Sequence, residues 1–441
     1  AVTTSAATSS AAAAGTEPKA TATPPQGESN KNASKTLELS YGWGQVATWQ
    51  ALAKLMGTQL SQYNVQWKSG NNKTGLLALV AAGTPPDVVV GNADYPEDWA
   101  KGVATDLDSY IAKSKEINKT DIPPASWAYA SYKGKTYGVP ALEAFVRFGL
   151  VIDNTILQPK GIDPSTISWD YDTLIQLQQQ LTTKNGAADQ VVAFDPLDAM
   201  GGGFGGGNPF YFGQAWGIKY FDEGTGKFNF DNAELADAMT TVKKLYDVVG
   251  GRAAVQAAFK GHGYWTGAQS DIASGVEIMQ TNGYWSPGEL AHSAPSRDFA
   301  YTWPPVPSAK KGLKFQSSGG HSAFIPNGSK NVPDAFTLIE FLVSEPAEQT
   351  IFDGTGWLGA RTSFLSKVDV SKYKGLDFYI NSATKNDQLN SMPSCPIEGE
   401  CGAMWGKTLD DVLAGKAQPQ NALQQLQQQV TTVFAQRFPN G

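Results

Sequence analysis

From Thr36 onwards the hydrophobic positions alternate between a spacing near two residues and a spacing near 3.6 residues. These two spacings are typical of strands and helices that follow each other in turn, which favours a mainly parallel sheet. Leu37–Tyr41 is predicted as a first strand and Val65–Trp67 as a second, with a helix between them. The predicted buried face of that helix consists of Trp49, Leu52, Ala53, Met56 and Leu60.

The same βα pattern repeats farther along the chain. Asn72 to Ala82 is predicted as a helix ended by Gly83, because glycine readily adopts the left-handed cap, and Asp87–Val90 as a buried strand. Asp231 and Glu234 form a capping-box pattern ahead of another helix, and Pro333 suits a first helical position. The later helices are predicted to bury Leu235, Ala238, Met239, Val242 and Leu245; Phe336, Ile339 and Leu342; and Leu423, Leu426, Val430 and Val433.

Length and composition restrict the class of protein. A chain of 441 residues exceeds the size at which a single hydrophobic core keeps growing, so two lobes are expected. Hydrophobic residues make up 41% and charged residues 17%, which indicates a folded protein with a neutral polar surface. The net charge of -7 and the lack of a Lys/Arg-rich run argue against a nucleic-acid partner.

Residues 1–35 are predicted to be a disordered tether, because Ala, Ser, Thr and Pro dominate them and no apolar periodicity is present. The sequence has no apolar run of 18 residues and no leader with a charged start and an apolar centre. We therefore expect an exported protein whose signal peptide has been removed, located outside the cell or in the periplasm. Membrane contact is expected only through an N-terminal lipid anchor.

The chain has two cysteines, which could form a disulfide. Cys395 and Cys401 lie in a Pro/Gly-rich stretch, where a tight loop would allow a disulfide suited to an oxidising compartment; two separate buried thiols are the alternative. Three histidines far apart in sequence do not indicate a metal site. Gly42–Ala47 fits a dinucleotide fingerprint, but the second strand ends without an acidic residue, so no cofactor is predicted.

The motif Gly83–Asp87, followed by a strand and by Asp94, resembles the first signature of the extracellular solute-binding proteins of carbohydrate ABC importers, sugar-binding family 1. In that family a helix ends in Gly-Thr-Pro-Pro-Asp, a strand follows, and an aspartate then lies near the cleft. Further segments that match in the family's order are residues 132–141, 151–174, 272–285, 317–344 and 392–416.

This resemblance implies an α/β, type II periplasmic-binding-protein-like fold with two lobes and a hinge. The chain is expected to cross between the lobes near residues 142, 303 and 360. Ligand would then bind between the carboxyl ends of the strands of both lobes, and hinge closure would bury it. The predicted N-terminal lobe is 36–142 with 304–360, and the predicted C-terminal lobe is 143–303 with 361–441.

A carbohydrate site needs flat aromatic rings and planar hydrogen-bonding groups. Tryptophan occurs twelve times, and four of these residues lie in irregular, glycine-containing segments, although each of them could instead fill a core. The resemblance implies that the loops of Asp94, Trp285 and Trp405, and the aromatic segment 210–212, lie in the cleft. The candidate ligand-binding residues are Trp43, Gln45, Asn92, Asp94, Glu143, Arg147, Phe210, Tyr211, Trp285, His321, Trp357 and Trp405.

The sequence thus predicts a monomeric, non-catalytic receptor that binds a mono- or oligosaccharide and delivers it to the transmembrane subunits of an ABC importer. Two alternatives remain. A glycoside hydrolase would also use an aromatic cleft, with two opposed carboxylates that 41 acidic residues could supply. A protein of the same fold could also bind a peptide or a polyamine.

Overall fold

The computed structural model describes residues 26–41, 46–70, 73–91, 96–143, 146–183, 191–198, 209, 213–263, 267–319, 321–391 and 393–438. For Val46, Ser69 and residues 141–143 it describes the backbone alone.

The larger of the two main sheets is mixed. Its strand β2 pairs in parallel with β3 and β4, whereas β15 runs antiparallel to β4 and β7. The order is β1-β3-β2-β4-β15-β7, with β1 at Gln26–Glu28, β2 at Lys35–Tyr41, β3 at Tyr63–Ser69, β4 at Val88–Val90, β7 at Gly138–Glu143 and β15 at His321–Phe324.

The smaller main sheet has the order β13-β8-β12-β9, in which only β9 and β12 pair in parallel. Its strands are β8 at Gly149–Asp153, β9 at Val192–Phe194, β12 at Glu277–Asn282 and β13 at Phe299–Thr302. The described residues also form three two-stranded ladders: β5 (Ser131–Tyr132) with β6 (Lys135–Thr136), β10 (Phe221–Asp222) with β11 (Lys227–Phe228), and β14 (Phe315–Ser317) with β16 (Gln388–Asn390).

Helices pack against both main sheets. They are α1 (Val46–Gln59), α2 (Lys73–Ala81), α3 (Pro96–Ala100), α4 (Asp108–Ile111), α5 (Pro124–Tyr129), α6 (Asn154–Leu157), α7 (Tyr171–Leu181), α8 (Ala233–Asp247), α9 (Arg252–Ala258), α10 (Asp271–Ser274), α11 (Ser286–Ser293), α12 (Val332–Leu342), α13 (Glu345–Thr355), α14 (Thr362–Leu365), α15 (Leu376–Ser382), α16 (Glu398–Leu413) and α17 (Pro419–Arg437). No helix in the described part of the chain combines the length and the apolar character needed to cross a bilayer.

The periodic hydrophobic faces form the core as predicted, since the predicted face of α1 is buried and Trp49 stacks on Tyr41 with 4.3 Å between ring centroids. The predicted faces of α8, α12 and α17 are buried too, except Val433, which is half-buried. Gly83 has the expected left-handed conformation, with a φ of 70°. The cap of α8 is one residue later than predicted: Asn232, not Asp231, accepts hydrogen bonds from the amides of Glu234 and Leu235. Pro333 occupies the second helical position of α12, after Val332.

The segment predicted as a tether is partly structured. Gln26–Glu28 forms β1 and pairs antiparallel with β3, and Lys35 already belongs to β2. Gly27 lies against the ring of Trp67, and a Cβ at this position would be 2.6 Å from the indole Cε2. The pairing partner β3 is remote in sequence, and the close approach to Trp67 requires a glycine and not an apolar side chain. The strand β1 therefore has no hydrophobic pattern by which the sequence could reveal it. Residues 1–25 of the predicted tether lie outside the described residues.

The chain passes between the two sheets through crossover segments. β7 leads to β8, and β13 leads back through β14 to β15. Gln316 on β14 is fully buried and bonds the two crossovers: its Oε1 accepts from the amide of Phe148 at 2.8 Å, and its Nε2 donates to the Phe148 carbonyl at 2.7 Å. Nε2 also donates to Ser382 Oγ, at the end of α15. A buried, fully used amide holds such segments in register. The exact lobe boundaries stay a prediction.

Candidate functional site

Two predicted site residues lie side by side where the larger sheet meets the crossover. His321 begins β15 and its Cα pairs with that of Glu143, the last residue of β7. Because Ala323 pairs with Val90 at the end of β4, His321 lies at the carboxyl end of the parallel strands. This is the edge at which open α/β sheets bind ligands.

Arg147 and Trp285 meet across the crossover. The backbone amide of Arg147 donates to the Ser317 carbonyl at 2.9 Å, which fixes the start of the segment that leads into the smaller sheet. Its guanidinium carbon lies 5.7 Å from the centroid of the Trp285 ring. A contact of this geometry contributes about 0.5 to 2 kcal/mol, depending on how far water is excluded. A flat aromatic ring is thereby held opposite a cation at the junction of the two sheets.

The turn that carries Trp285 is built to bring the indole close to the backbone. β12 ends at Asn282, and Trp285 is the N-cap residue of α11. A Cβ at Gly283 would be 2.6 Å from the indole Cε3, so only glycine fits between strand and ring. Asn282 Oδ1 accepts from the Gly283 amide at 2.9 Å, and the Asn282 carbonyl accepts from the Tyr379 hydroxyl at 2.9 Å.

A chain of buried polar groups supports this turn from behind. Along β12, Glu277 accepts from Gln280 Nε2 at 2.8 Å, and Gln280 Oε1 accepts from Asn282 Nδ2 at 2.8 Å. Glu277 also accepts from the Asp195 amide at 2.8 Å. All three β12 side chains are fully buried. Burial and the nearby carboxylates of Asp198, Asp271 and Asp195 raise the pKa of Glu277 well above its usual range.

Asp271 belongs to the same acidic group. Burial, followed by the negative charge of Asp195, raises the pKa of Asp271 to about 8. These carboxyl groups line no metal site: among the residues that the structure describes, no cluster of three or more His, Cys, Asp or Glu side chains could hold an ion. Glu277 connects this acidic group to the Trp285 turn through Gln280 and Asn282.

Trp357 contacts α11 at Glu289, four residues after Trp285. Its Nε1 donates to Glu289 Oε1 at 2.7 Å, and 9% of the residue is exposed. On the same helix Gly288 packs directly on backbone at the end of α13, where a Cβ would be 2.7 Å from the Cα of Gly356. α13 packs on α1 and β7 of the larger sheet. The helix that begins at Trp285 is therefore fixed against the opposite lobe.

Trp405 lies on a helix and not in the irregular loop that the sequence predicts. It is fully buried on α16, and its ring centroid is 6.1 Å from that of Phe230. The buried positions Cys401, Trp405, Leu409 and Val412 follow the helical spacing. This spacing was present in the sequence, but the glycines around it suggested irregular structure.

Six of the predicted ligand-binding residues lie outside the described residues: Trp43, Gln45, Asn92, Asp94, Phe210 and Tyr211. For Glu143 the backbone position alone is described. Of the remaining candidates, the structure brings Arg147, Trp285 and His321 to the junction of the two sheets, with Trp357 bonded to Glu289 of α11.

One contact between the lobes had no signal in the sequence. Glu97 on α3 accepts a hydrogen bond at 2.6 Å from the backbone amide of Gly399, in the first turn of α16. Beside it, Lys73 forms an ion pair with Asp98 at 2.6 Å, and Asp98 is fully buried. Residues 97 and 399 are 302 positions apart, so no local pattern could predict their contact.

The family model for bacterial extracellular solute-binding proteins matches residues 40–349, which is more than half of the chain. The chain belongs to this family. No match was found among curated proteins. The members of the family are extracellular receptors that bind substrates, so the predicted receptor class and extracellular location are confirmed at that level.

Solved structures of sugar-binding proteins have the same fold as this solute-binding protein. A solute-binding protein from Thermotoga lettingae TMO, bound with alpha-D-tagatose, is 19% identical with a TM-score of 0.74, covering 91% of this chain and 100% of that one. The GacH receptor of Streptomyces glaucescens, studied unliganded and with acarbose, is 18% identical with a TM-score of 0.71, covering 91% and 99%. The MalE domain from Bdellovibrio bacteriovorus, bound to maltotriose, is 18% identical with a TM-score of 0.69, covering 92% and 100%. The predicted two-lobed α/β fold is confirmed.

The two cysteines of this solute-binding protein are free thiols in the structure, so the predicted disulfide is not formed there. Both are fully buried, and their side chains contact each other. This contact and burial raise the pKa of the Cys401 thiol. Cys401 lies in the first turn of α16 and Cys395 precedes the helix.

Proposed function

We propose that this protein is an extracellular receptor that binds a mono- or oligosaccharide between its lobes and delivers it to the transmembrane subunits of an ABC importer. The observation that carries the proposal is the Trp285 ring, held at the end of β12 and opposite Arg147 on the crossover. A sugar has an apolar ring face and a rim of hydroxyl groups. An indole stacks on the first and a guanidinium donates to the second.

Three neighbours support the choice of ligand class, because the ligands named for them are alpha-D-tagatose, acarbose and maltotriose. We assign Arg147, Trp285, His321 and Glu143 to the centre of the site. The other proposed ligand contacts are Trp43, Gln45, Asn92, Asp94, Phe210 and Tyr211. Trp357 and Trp405 stay candidates; like Trp285, both are buried, and Trp405 is buried completely.

The proposed receptor works without catalysis, as a monomer, and reaches the membrane through a lipid anchor at its N-terminus. The rival function is glycoside hydrolysis, which requires a pair of carboxyl groups flanking the glycosidic bond. The two functions differ in a direct readout. A receptor binds oligosaccharides and leaves them intact, whereas a hydrolase releases new reducing ends.

The test is a titration with a panel of mono- and oligosaccharides, followed by tryptophan fluorescence and by melting temperature. A ligand at about 100 times its dissociation constant adds about 2.7 kcal/mol to the free energy of unfolding. We expect at least one sugar to shift both signals with no release of reducing ends. A peptide or polyamine that shifts them when no sugar does would refute the carbohydrate assignment.

Trp285→Phe is the decisive variant, with Trp127→Phe as its matched control. Both indoles are at least nine-tenths buried and both have a cation over the ring, Arg147 at 5.7 Å and Lys119 at 5.3 Å. Trp127 lies on α5, and its Nε1 donates to the Lys119 carbonyl. We expect Trp285→Phe to weaken sugar binding by about tenfold, which is about 1.4 kcal/mol. Trp127→Phe should leave the affinity unchanged, and equal losses in both variants would contradict a ligand role for Trp285.

A further inference from the structure

The contact between Glu97 and Gly399 joins the two lobes. Glu97 is on α3, which belongs with the larger sheet because Trp99 packs edge-on against Phe324 of β15, 5.2 Å between centroids. Gly399 is on α16, which packs on α8 and α17, and α8 in turn packs on α7 beside β9 of the smaller sheet. The hydrogen bond of 2.6 Å therefore crosses from one lobe to the other.

This bond serves as the N-terminal cap of α16. The residue at the N-cap position is Ile397, which has no side-chain group to accept from the first-turn amides. Capping acceptors are normally supplied by Ser, Thr, Asp or Asn, and a carboxylate at this end also interacts favourably with the helix dipole. Here the carboxylate comes from Glu97 of the opposite lobe. The cap of α16 is complete only while the lobes are together.

The two cysteines bracket the capped turn. Cys395 and Cys401 contact each other, and Glu398 and Gly399, the first two residues of α16, lie between them in the sequence. The pair is also close to the other lobe: the pKa of Tyr132 on β5 is raised by burial and, next, by its interaction with Cys395. β5 packs on α3, the helix that carries Glu97.

We propose that Cys395 and Cys401 are a reversible redox modification site and that their disulfide favours the closed, ligand-bound arrangement of the lobes. The bond closes a loop that holds the Gly399 amide in the orientation in which it meets Glu97. In the dithiol form, α16 loses its cap when the lobes separate and its first turn can fray. Closing the lobes again then requires that turn to be reordered, which weakens ligand binding.

The oxidant is a disulfide-bearing molecule, either a protein oxidoreductase or a small disulfide. One cysteine loses its proton to solvent and attacks a sulfur of the oxidant, which forms a mixed disulfide and expels a thiolate. The second cysteine, deprotonated in turn, attacks the cysteine sulfur of the mixed disulfide and expels the second thiolate. The expelled thiolates take up two protons, so two cysteine thiols are oxidised and one oxidant disulfide becomes two thiols.

Both thiols are fully buried, so the exchange needs the lobes to separate or the first turn of α16 to open. A bound ligand that keeps the lobes closed should therefore slow oxidation. At equilibrium the linkage is reciprocal: because the disulfide favours ligand binding, bound ligand should in turn favour the disulfide over the dithiol. This inference rests on the proposed function for its affinity readout, and has a second readout that does not involve sugar.

The experiment compares the full chain reduced with dithiothreitol and oxidised with glutathione disulfide. Mass spectrometry should find an intramolecular bond between Cys395 and Cys401 after oxidation. Hydrogen exchange of residues 396–404 should be slower in the oxidised protein, and the sugar dissociation constant should be about fivefold lower. Cys395→Ser should remove both redox effects. Glu97→Ala should remove the affinity effect, whereas Glu345→Ala, at a surface ion pair with Lys367, should not.

The outcomes separate the two proposals. If oxidation yields no internal bond, or if it leaves both the exchange rate and the affinity unchanged, the redox inference is wrong. Lower affinity in the oxidised protein would also overturn it. If no sugar binds in either state, the proposed function fails, and the redox site is then judged on the mass and the exchange protection alone.

Discussion

The variant Trp405→Ala tests whether the buried indole of Trp405 on α16 fills the core or contacts the ligand. The ring is fully buried and lies 6.1 Å from Phe230, in a helix whose other inward positions are also buried. Removing a buried tryptophan side chain costs about 3 to 5 kcal/mol, because it loses transfer free energy and leaves a cavity. At about 2 to 4 °C per kcal/mol for a lobe of this size, the melting temperature should fall by about 6 to 20 °C.

The assay is thermal unfolding by circular dichroism without sugar, with Trp405→Phe as the matched variant. Phenylalanine keeps a buried aromatic ring, so its melting temperature should lie well above that of Trp405→Ala. A Trp405→Ala protein that melts within about 2 °C of the wild type would refute the core assignment, since a packed ring of this size cannot be removed at so small a cost. If that variant also lost its response to sugar, Trp405 would be a ligand contact.

Two further predictions concern the close approach of α11 and the buried acidic group. Gly288→Ala should lower the melting temperature, because the added Cβ would overlap the backbone at Gly356 and overpacking costs about 1 to 3 kcal/mol. The control is Gly406→Ala, whose Cβ would meet nothing within 4 Å and which should be neutral or slightly stabilising. Similar losses of melting temperature in both variants would contradict this steric argument. The raised pKa of Asp271, about 8 in the folded state, makes its stability contribution fullest at acidic pH and lost as the pH rises towards 8. Asp271→Asn should therefore melt higher than the wild type at pH 8 but not at pH 4, and a variant that is destabilised equally at both pH values would contradict the titration argument.

The features that the sequence predicted correctly are those encoded by short-range spacing. The inward face of α1 repeats every three or four residues, and a helix that must bury one stripe leaves this pattern wherever it lies in the chain. The N-cap of α8 was predicted one residue too early, because Asp231 and Asn232 are both good capping residues. The backbone conformation decides between them, and the sequence pattern does not show it. The Gly83 turn was predictable because glycine is the residue for which that conformation costs least.

The features that the sequence missed depend on contacts between remote segments. β1 is a strand only because β3 offers an unpaired edge and Gly27 leaves room for Trp67. The glycines around Trp405 argued for a loop, but α16 forms because its buried face packs on α8 and α17. Packing against a partner outweighs local propensity here, and a single sequence does not record the partner.

The site shows both kinds of signal. Trp285 was a candidate from the sequence because it is an aromatic residue in a glycine-containing turn after a buried strand, and its ligand role stays a proposal. What the structure adds is the reason why the ring is held so firmly: a glycine beneath it, a chain of buried side chains behind it and a cation in front of it. A ring fixed in this way loses little conformational entropy when a ligand stacks on it. Pre-organisation of the aromatic face, rather than the number of polar contacts, should therefore determine affinity, and the polar groups around it should determine which sugar is accepted.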